Sequence, residues 1–342
     1  MPDSTLSLGL IGAGRIGRVH AANLAASIPG ARLAAVADVR REAAAEVAAR
    51  WNVSRFTDDF SDLLADPAID AVVVCSSTDT HAEIIIAAAA AGKAVFCEKP
   101  IDHSLARTDE ALAAVTRAGV QLQVGFNRRF DANFARVRQA VVSGEIGRPQ
   151  LLHIISRDPV PPPIEYVRVS GGIFLDMTIH DFDMARFLIG AEVEEVYAVG
   201  GVMIDPAIGA AGDLDTAMVT LRFANGVIGT IDNSRQAVYG YDQRAEILGS
   251  AGSVATGNNY ANTAVISDAA SVRRDLPLNF FMERYTASYA AEMAAFVACI
   301  REGRPVPVSG ADGRAAVVIG MAARRSYDEK RPVRLAEIAP AR

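Results

Sequence analysis

The stretch Leu6-Ser7-Leu8-Gly9-Leu10-Ile11-Gly12-Ala13-Gly14-Arg15-Ile16-Gly17 decides the fold. Leu6 to Ile11 reads as a short buried strand, and Gly12 to Gly17 fits G-x-G-x-x-G. An alanine-rich helix follows to about Ser27. Pro29 and Gly30 turn the chain, Leu33 to Ala37 is a second strand, and Asp38 ends it. Strand, glycine loop, helix, strand and acid in this register make the full dinucleotide fingerprint. Gly12 permits the tight turn, Gly14 lets backbone approach a pyrophosphate, and Gly17 lets the helix pack on the strand. With Arg15 and Ile16 they bring the positive end of the helix to the phosphates.

Asp38 bears on cofactor choice. A carboxylate there accepts hydrogen bonds from a ribose 2′-hydroxyl, whereas a 2′-phosphate meets like charge at about 1–4 kcal/mol. Arg40 and Arg41 soften that discrimination, so NAD is expected, with NADP as the weaker alternative.

The alternation continues outward. Arg41 to Trp51 reads as a helix, then come a short strand near Arg55 and a small helix from Asp58. Ala71 to Cys75 is a β-branched strand with Ser76-Ser77-Thr78-Asp79-Thr80-His81 at its carboxyl end. Ligands of open α/β sheets lie at that edge, so Ser76, Ser77, Thr78 and His81 are candidate cofactor contacts, although the same residues suit a helix start. Ala94 to Cys97 is the next strand, ending in Glu98-Lys99-Pro100. A lysine there is well placed for chemistry. The proline admits a cis bond, which the sequence leaves open. Ser104 to Ala118 is a helix, and Gln121 to Gly125 is the last strand of this sheet. Asn127, Arg128 and Arg129 follow at the same edge, where they can reach cofactor or substrate or simply form a solvated turn. Asp131 to Ser143 is helical.

The pattern then changes. Gln150 to Ser156 is strand-like, and Arg157-Asp158-Pro159 leads into Pro161-Pro162-Pro163. Gly171 to Leu188 reads as a helix opened by two glycines. Its Asp176 and His180, four apart, place a carboxylate and an imidazole on one face, a pair able to shuttle a proton or to be a capped, partly buried histidine. Longer strands follow at Val193 to Ile204, Asp215 to Phe223, Val227 to Ser234 and Arg244 to Leu248, with Ala224-Asn225-Gly226 as a hairpin signal. Phe280 to Arg301 holds a helix with Tyr285 and Tyr289 at its start, and a last helix runs from about Ala311 to Tyr327. The expected fold class is α/β. An N-terminal doubly wound parallel Rossmann sheet spans 1–125. A C-terminal α+β domain on an open, mostly antiparallel sheet spans 126–342, its last helix able to pack back on the first domain.

Composition narrows the class. The 342 residues favour two domains, and 51% hydrophobic with 22% charged residues suits a protein with a large core. A net charge of -6 argues against a general nucleic-acid binder. Cys75, Cys97 and Cys299 show no CxxC spacing and suit reduced thiols in the cytoplasm. No basic n-region precedes the first strand, and the apolar run Ile84 to Ala91 is far short of a membrane span.

Together Gly12-x-Gly14-x-x-Gly17, Glu98-Lys99-Pro100 and Gly171-Gly172…Asp176-x-x-x-His180 resemble the glucose-fructose oxidoreductase / inositol dehydrogenase / rhizopine catabolism family over nearly the whole chain. Asn127 to Asp131, Ser156 to Pro159, Asp176 to Asp183 and Tyr239 to Arg244 look like the bacterial inositol 2-dehydrogenases within it. The resemblance implies Lys99, Asp176 and His180 as a catalytic trio. It also implies NAD-dependent oxidation of a secondary alcohol on a cyclic polyol, myo-inositol to 2-keto-myo-inositol, and a homotetramer. In that scheme His180 is the general base, Lys99 bonds the reacting oxygen, and Asp176 orients substrate or base. Arg129, Asp158, Tyr239 and Tyr285 are candidates for the other hydroxyls. The rival readings are another inositol isomer or an aldose, an NAD-retaining glycosidase, and an NAD-sensing protein without catalysis. A metal site on Asp176, His180, Asp181 and Asp183 is geometrically poor, because the last two leave the shared face.

Overall fold

The run Ala71-Val72-Val73-Val74 is wholly buried, and the first sheet of the structure, a computed structural model that describes residues 5–339, is built around it. Residues 1–4, part of the N-terminal stretch read above for a targeting signal, lie outside the described residues. The chain forms two compact units. The first comprises the residues up to Phe130 and Ala287–Ala315; the second comprises Asp131–Thr286 and the residues from Ala316 onward. The division at 125/126 read from the sequence falls a few residues before the break.

In the first unit the elements are β1 (Leu6–Ile11), α1 (Arg15–Ala26), β2 (Ala31–Ala37), α2 (Arg41–Arg50), β3 (Phe56–Thr57), α3 (Ser61–Ala65), β4 (Ala71–Val74), α4 (Thr78–Ala90), β5 (Ala94–Glu98), α5 (Leu105–Ala118) and β6 (Leu122–Gly125). The sheet order is β3-β2-β1-β4-β5-β6, and every pair is parallel. Parallel strands covered on both faces are mostly apolar, and these are, apart from Ser7, Arg32, Thr57, Glu98 and Gln123. Order reverses between β1 and β4, so their carboxyl ends frame the crevice of a doubly wound sheet. Helix ends obey local chemistry: the Ser104 hydroxyl accepts a hydrogen bond from the Arg107 N–H, and Gly119 closes α5 in the left-handed region at φ 65°. Leu8, Leu10, Val36 and Phe96 of the strands pack with Leu24 and Val47 of the helices. Met293, Phe296 and Val297, from far along the chain, join the same core.

The second unit continues with α6 (Ala132–Val142), β7 (Pro149–Arg157), α7 (Ile164–Val167), α8 (Gly172–Asp176), α9 (Ile179–Ile189), β8 (Val193–Gly201), α10 (Pro206–Ala210), β9 (Thr216–Phe223), β10 (Ile228–Ser234), β11 (Asp242–Gly249) and β12 (Gly252–Thr256). A small hairpin, β13 (Val265–Ser267) and β14 (Val272–Arg274), and the turn α11 (Phe281–Arg284) follow. Helix α12 (Thr286–Glu302) falls almost wholly within the first unit. Helix α13 (Gly310–Glu329) begins in the first unit and ends in the second, and β15 (Val333–Arg334) closes the chain's elements. The seven-stranded sheet runs β12-β11-β7-β10-β9-β8-β15, antiparallel except for β7 against β10. Gly226, at φ 85°, turns the β9–β10 hairpin that Asn225-Gly226 predicts.

One sequence reading is corrected here. Gly171 to Leu188 is not one helix. The Thr178 N–H reaches back to the Ile173 carbonyl, and the His180 N–H bonds Met177 rather than Asp176. The ladder breaks between α8 and α9, so Asp176 ends one short helix and His180 lies in the first turn of the next. Apolar spacing across the break stays helical, which is why periodicity alone reads through it.

Candidate active site

The glycine loop after β1 is shaped by close packing at two positions and by open space at a third. A Cβ on Gly12, whose φ is +99°, would come within 2.5 Å of the Cys75 backbone, and one on Gly17 within 2.0 Å of the Gly12 carbonyl oxygen. A Cβ on Gly14 would meet nothing within 4 Å, and its φ of -70° suits any residue. Neither backbone nor packing therefore demands glycine at 14. An approaching ligand does, and no side chain caps the end of α1 that Arg15 and Ile16 open. The loop fits a dinucleotide pyrophosphate.

Asp38 ties this loop to β2. Its Oδ2 accepts the Ala13 N–H at 2.7 Å, and its Oδ1 accepts the Arg40 N–H at 2.8 Å. Arg40 Nε is 3.8 Å from the same carboxylate, and the Arg40 side chain is largely exposed. The fixed anion suits a ribose diol and opposes a 2′-phosphate.

At the next strand ends, Ser77 and Thr78 open α4, and the Ser76 hydroxyl is 2.7 Å from that of Thr80. His81 is buried. Its Nδ1 is 2.8 Å from the Pro100 carbonyl and its Nε2 is 3.1 Å from that of Ser76. Burial holds its pKa below the ordinary histidine value although both carbonyls raise it, and the neutral ring donates to one of the two carbonyls at a time, lodged between the loops that carry them. The Lys99–Pro100 bond is cis, the point the sequence left open. Lys99 follows Glu98 at the end of β5 in the first unit, while Asp176 and His180 belong to the second. Asn127 and Arg128 are buried in the turn after β6, and Asn127 Nδ2 has no hydrogen-bond partner. Arg129 pairs with Asp312 at 3.0 Å. Burial alone would raise the Asp312 carboxyl. Arg129 and the Ser309 donors outweigh burial and hold it down, at about 2.

In the second unit Asp176 is gripped from two sides. Tyr166 donates its hydroxyl to Oδ1 at 2.7 Å, and Arg235 Nη1 lies 3.1 Å from Oδ2. Arg235 is 1% exposed and also reaches Asp213 at 3.2 Å. Asp213 in turn accepts the Ile173 N–H at 2.9 Å, and a Cβ on Gly172 would press to 2.8 Å of it. That contact and a φ of +78° explain the second glycine of the motif. Burial would lower the Arg235 pKa, but the two carboxylates raise it, so the charge stays. Nearby, Asn233 accepts the Thr178 hydroxyl at 2.6 Å and donates to Asp181 at 2.9 Å, a buried network across the α8–α9 break. Asp181 and Asp183 are both fully buried.

The remaining candidates are drawn into structure. The Asp158 backbone bonds Ser234 and Ala237. The Tyr239 hydroxyl receives Arg157 at 3.1 Å and donates to Asp242 at 2.6 Å. Burial and that bond push its pKa up, which keeps it a phenol. Tyr285 is buried edge-on to Tyr241, with Arg284 over its ring at 4.6 Å. Sequence reasoning did not single out Tyr166 or Asp213. Nor does the sequence point to Arg235, because no spacing rule links that position to Asp176.

Comparison with known proteins agrees with this geometry. Residues 6–126 match the oxidoreductase family model described as an NAD-binding Rossmann fold, and residues 134–255 match the GFO/IDH/MocA C-terminal domain. The myo-inositol 2-dehydrogenase of Thermotoga maritima is 51% identical, over 97% of this chain and 99% of its own. The inositol 2-dehydrogenase of Rhizobium meliloti is 48% identical, over 97% and 100%. A crystal structure of a probable dehydrogenase from Thermotoga maritima superposes with a TM-score of 0.96 at 51% identity, covering 97% of this chain and all of that one. With family models matched over both halves of its length and full-length relatives about half identical to it, the chain belongs to the GFO/IDH/MocA family of NAD-binding oxidoreductases.

Proposed function

We propose that the protein oxidises myo-inositol to 2-keto-myo-inositol with NAD. The observation that carries this reading is the full-length likeness to inositol 2-dehydrogenases, which extends through the Asp176 to Asp183 segment. NAD, when bound, supplies the hydride acceptor for the carbinol carbon. His180 takes the hydroxyl proton as the carbonyl forms, and Lys99 bonds the reacting oxygen and offsets its developing negative charge. Asp176, paired with Arg235 and aimed by Tyr166, serves as a fixed acceptor that orients the substrate hydroxyl or the imidazole. Gly12, Gly14, Gly17, Asp38, Ser76, Ser77, Thr78, Glu98, Asn127 and Arg128 are the proposed cofactor contacts. Arg129 and Tyr239 have a lesser part, because Asp312 and the Arg157–Asp242 pair engage their polar groups, and Asp158 and Tyr285 stay candidates for the other hydroxyls.

We further infer a cytoplasmic homotetramer. Cys75, Cys97 and Cys299 are free and buried, which suits a reducing compartment. No helix among the described residues is long and apolar enough to cross a membrane. Leu151, Val199, Met218, Ile228 and Leu248 project from one face of the seven-stranded sheet into solvent, an area seldom left bare.

The test is NADH formation by purified protein with myo-, scyllo- and chiro-inositol and simple aldoses. Strong turnover with myo-inositol is expected, and His180→Ala should lower kcat by ~10²-fold or more. No NADH with any substrate despite NAD binding would overturn the reading.

A further inference from the structure

Inside the first unit three ionisable groups meet away from the glycine loop. His20 of α1 and Glu292 of α12 are fully buried, and Glu98 at the end of β5 is nearly so. His20 Nε2 is 2.8 Å from Glu98 Oε1, and one ligand-type atom from each of the three residues lies within 4.8 Å of the others. Neither Glu292 oxygen has a hydrogen-bond partner, nor does His20 Nδ1. The walls are aromatic: Phe96 and Tyr289 stand edge-on to the imidazole. Also facing the cluster are the buried imidazole of His81, which feels the Glu98 charge, and the buried thiols of Cys75 and Cys97, and Gln123 donates its amide to the Glu292 backbone carbonyl.

Two carboxylates this close in an apolar pocket do not both stay ionised. Glu98 has the imidazole beside it, whereas Glu292 has no such partner, so the proton remains on Glu292. Burial first, and the Glu98 charge second, push the Glu292 carboxyl well above the ordinary range. A divalent cation fits the cluster less well. His20 Nε2 and Glu98 Oε1 already meet at hydrogen-bond distance, 2.8 Å, and only three ligand atoms converge where a closed site takes four. Glu98 is also clamped from the sheet, since a Cβ on Gly125 would come within 3.0 Å of its carboxyl. The next residue is Lys99.

We propose that Glu292 keeps one buried proton beside the His20–Glu98 pair and that the three groups together position the strand end that carries Lys99. Its effect on turnover rests on the dehydrogenase reading above; the proton itself does not.

Three measurements on the full-length protein test this. First, infrared difference spectra near neutral pH should show a protonated-carboxyl band in the native protein that Glu292→Gln removes. Identical spectra would overturn the proposal. Second, the folded protein holds a proton that the unfolded chain releases, so native stability should fall as pH rises above the ordinary carboxyl value of 4.5. Glu292→Gln should lack this component, and a stability difference between the two proteins that stays constant with pH would count against a buried proton on Glu292. Third, Glu292→Ala should lower kcat by about tenfold with KM nearly unchanged, and Glu292→Gln should restore it to within about twofold. Equal losses in both variants would refute positioning by the proton. Stoichiometric divalent metal in the purified protein would replace the proton with a cation. Were no polyol oxidised at all, the infrared and stability results would still decide the matter.

Discussion

Arg235 shows how one buried charge can organise chemistry it does not perform. It joins Asp176 to Asp213, and Asp213 holds the start of α8. Replacing it by methionine leaves two buried carboxylates facing each other, so Arg235→Met should cost ~3–5 kcal/mol in denaturant unfolding. A loss below 1 kcal/mol would show that the carboxylates find water instead. Asp312 gives a prediction in pH. Its folded value of about 2 lies below the 3.8 of an unperturbed carboxyl, so it stabilises the fold above that unperturbed value and loses the contribution as pH falls toward 2. The contribution is ~2 kcal/mol. Asp312→Asn should therefore unfold with a shallower acid dependence than the native protein in that window. These residues also mark what a sequence conceals. Asp38 and the three loop glycines are legible because local backbone geometry dictates them. Arg235, Asp213 and Tyr166 converge on Asp176 from three separate segments, and no periodicity registers that.

Elements were legible wherever one period held. The parallel strands read as apolar runs, and β9 and β10 as alternation around Asn225-Gly226. The break between α8 and α9 was hidden because Phe174, Met177 and Met184 keep helical spacing through it. Strands β12 to β15 were not read from the sequence: they are short, and β13 and β14 are exposed, so burial imprints no pattern on the last two. At the head of α1 two glycines make a paired test. Gly14→Ala fills open space, so it should weaken NAD binding by about tenfold or more while costing no more than ~1 kcal/mol of stability. Gly17→Ala drives a methyl into the Gly12 carbonyl and should instead lower Tm. Calorimetry with and without NAD separates the two, and unchanged affinity in Gly14→Ala would remove the pyrophosphate from this loop.

For the whole molecule, the exposed apolar face of the second sheet sets the expected association. Val199 and Met218 sit opposite each other on β8 and β9, both about half exposed. Met218→Glu should shift sedimentation toward smaller species at unchanged far-ultraviolet dichroism; an unaltered assembly would move the interface to another surface. The first unit has a different consequence, one of timing. Its core includes Met293, Phe296 and Val297, which leave the ribosome more than a hundred residues after the last strand of their own sheet. Until then the nascent sheet lacks part of its cover, and an apolar side chain such as Phe96, which packs on Phe296, stays accessible while six of the second sheet's seven strands are synthesised. The nucleotide-binding half, although first to be translated, is therefore among the last parts to be completed, and a chaperone that shields exposed apolar strands has its longest opportunity there.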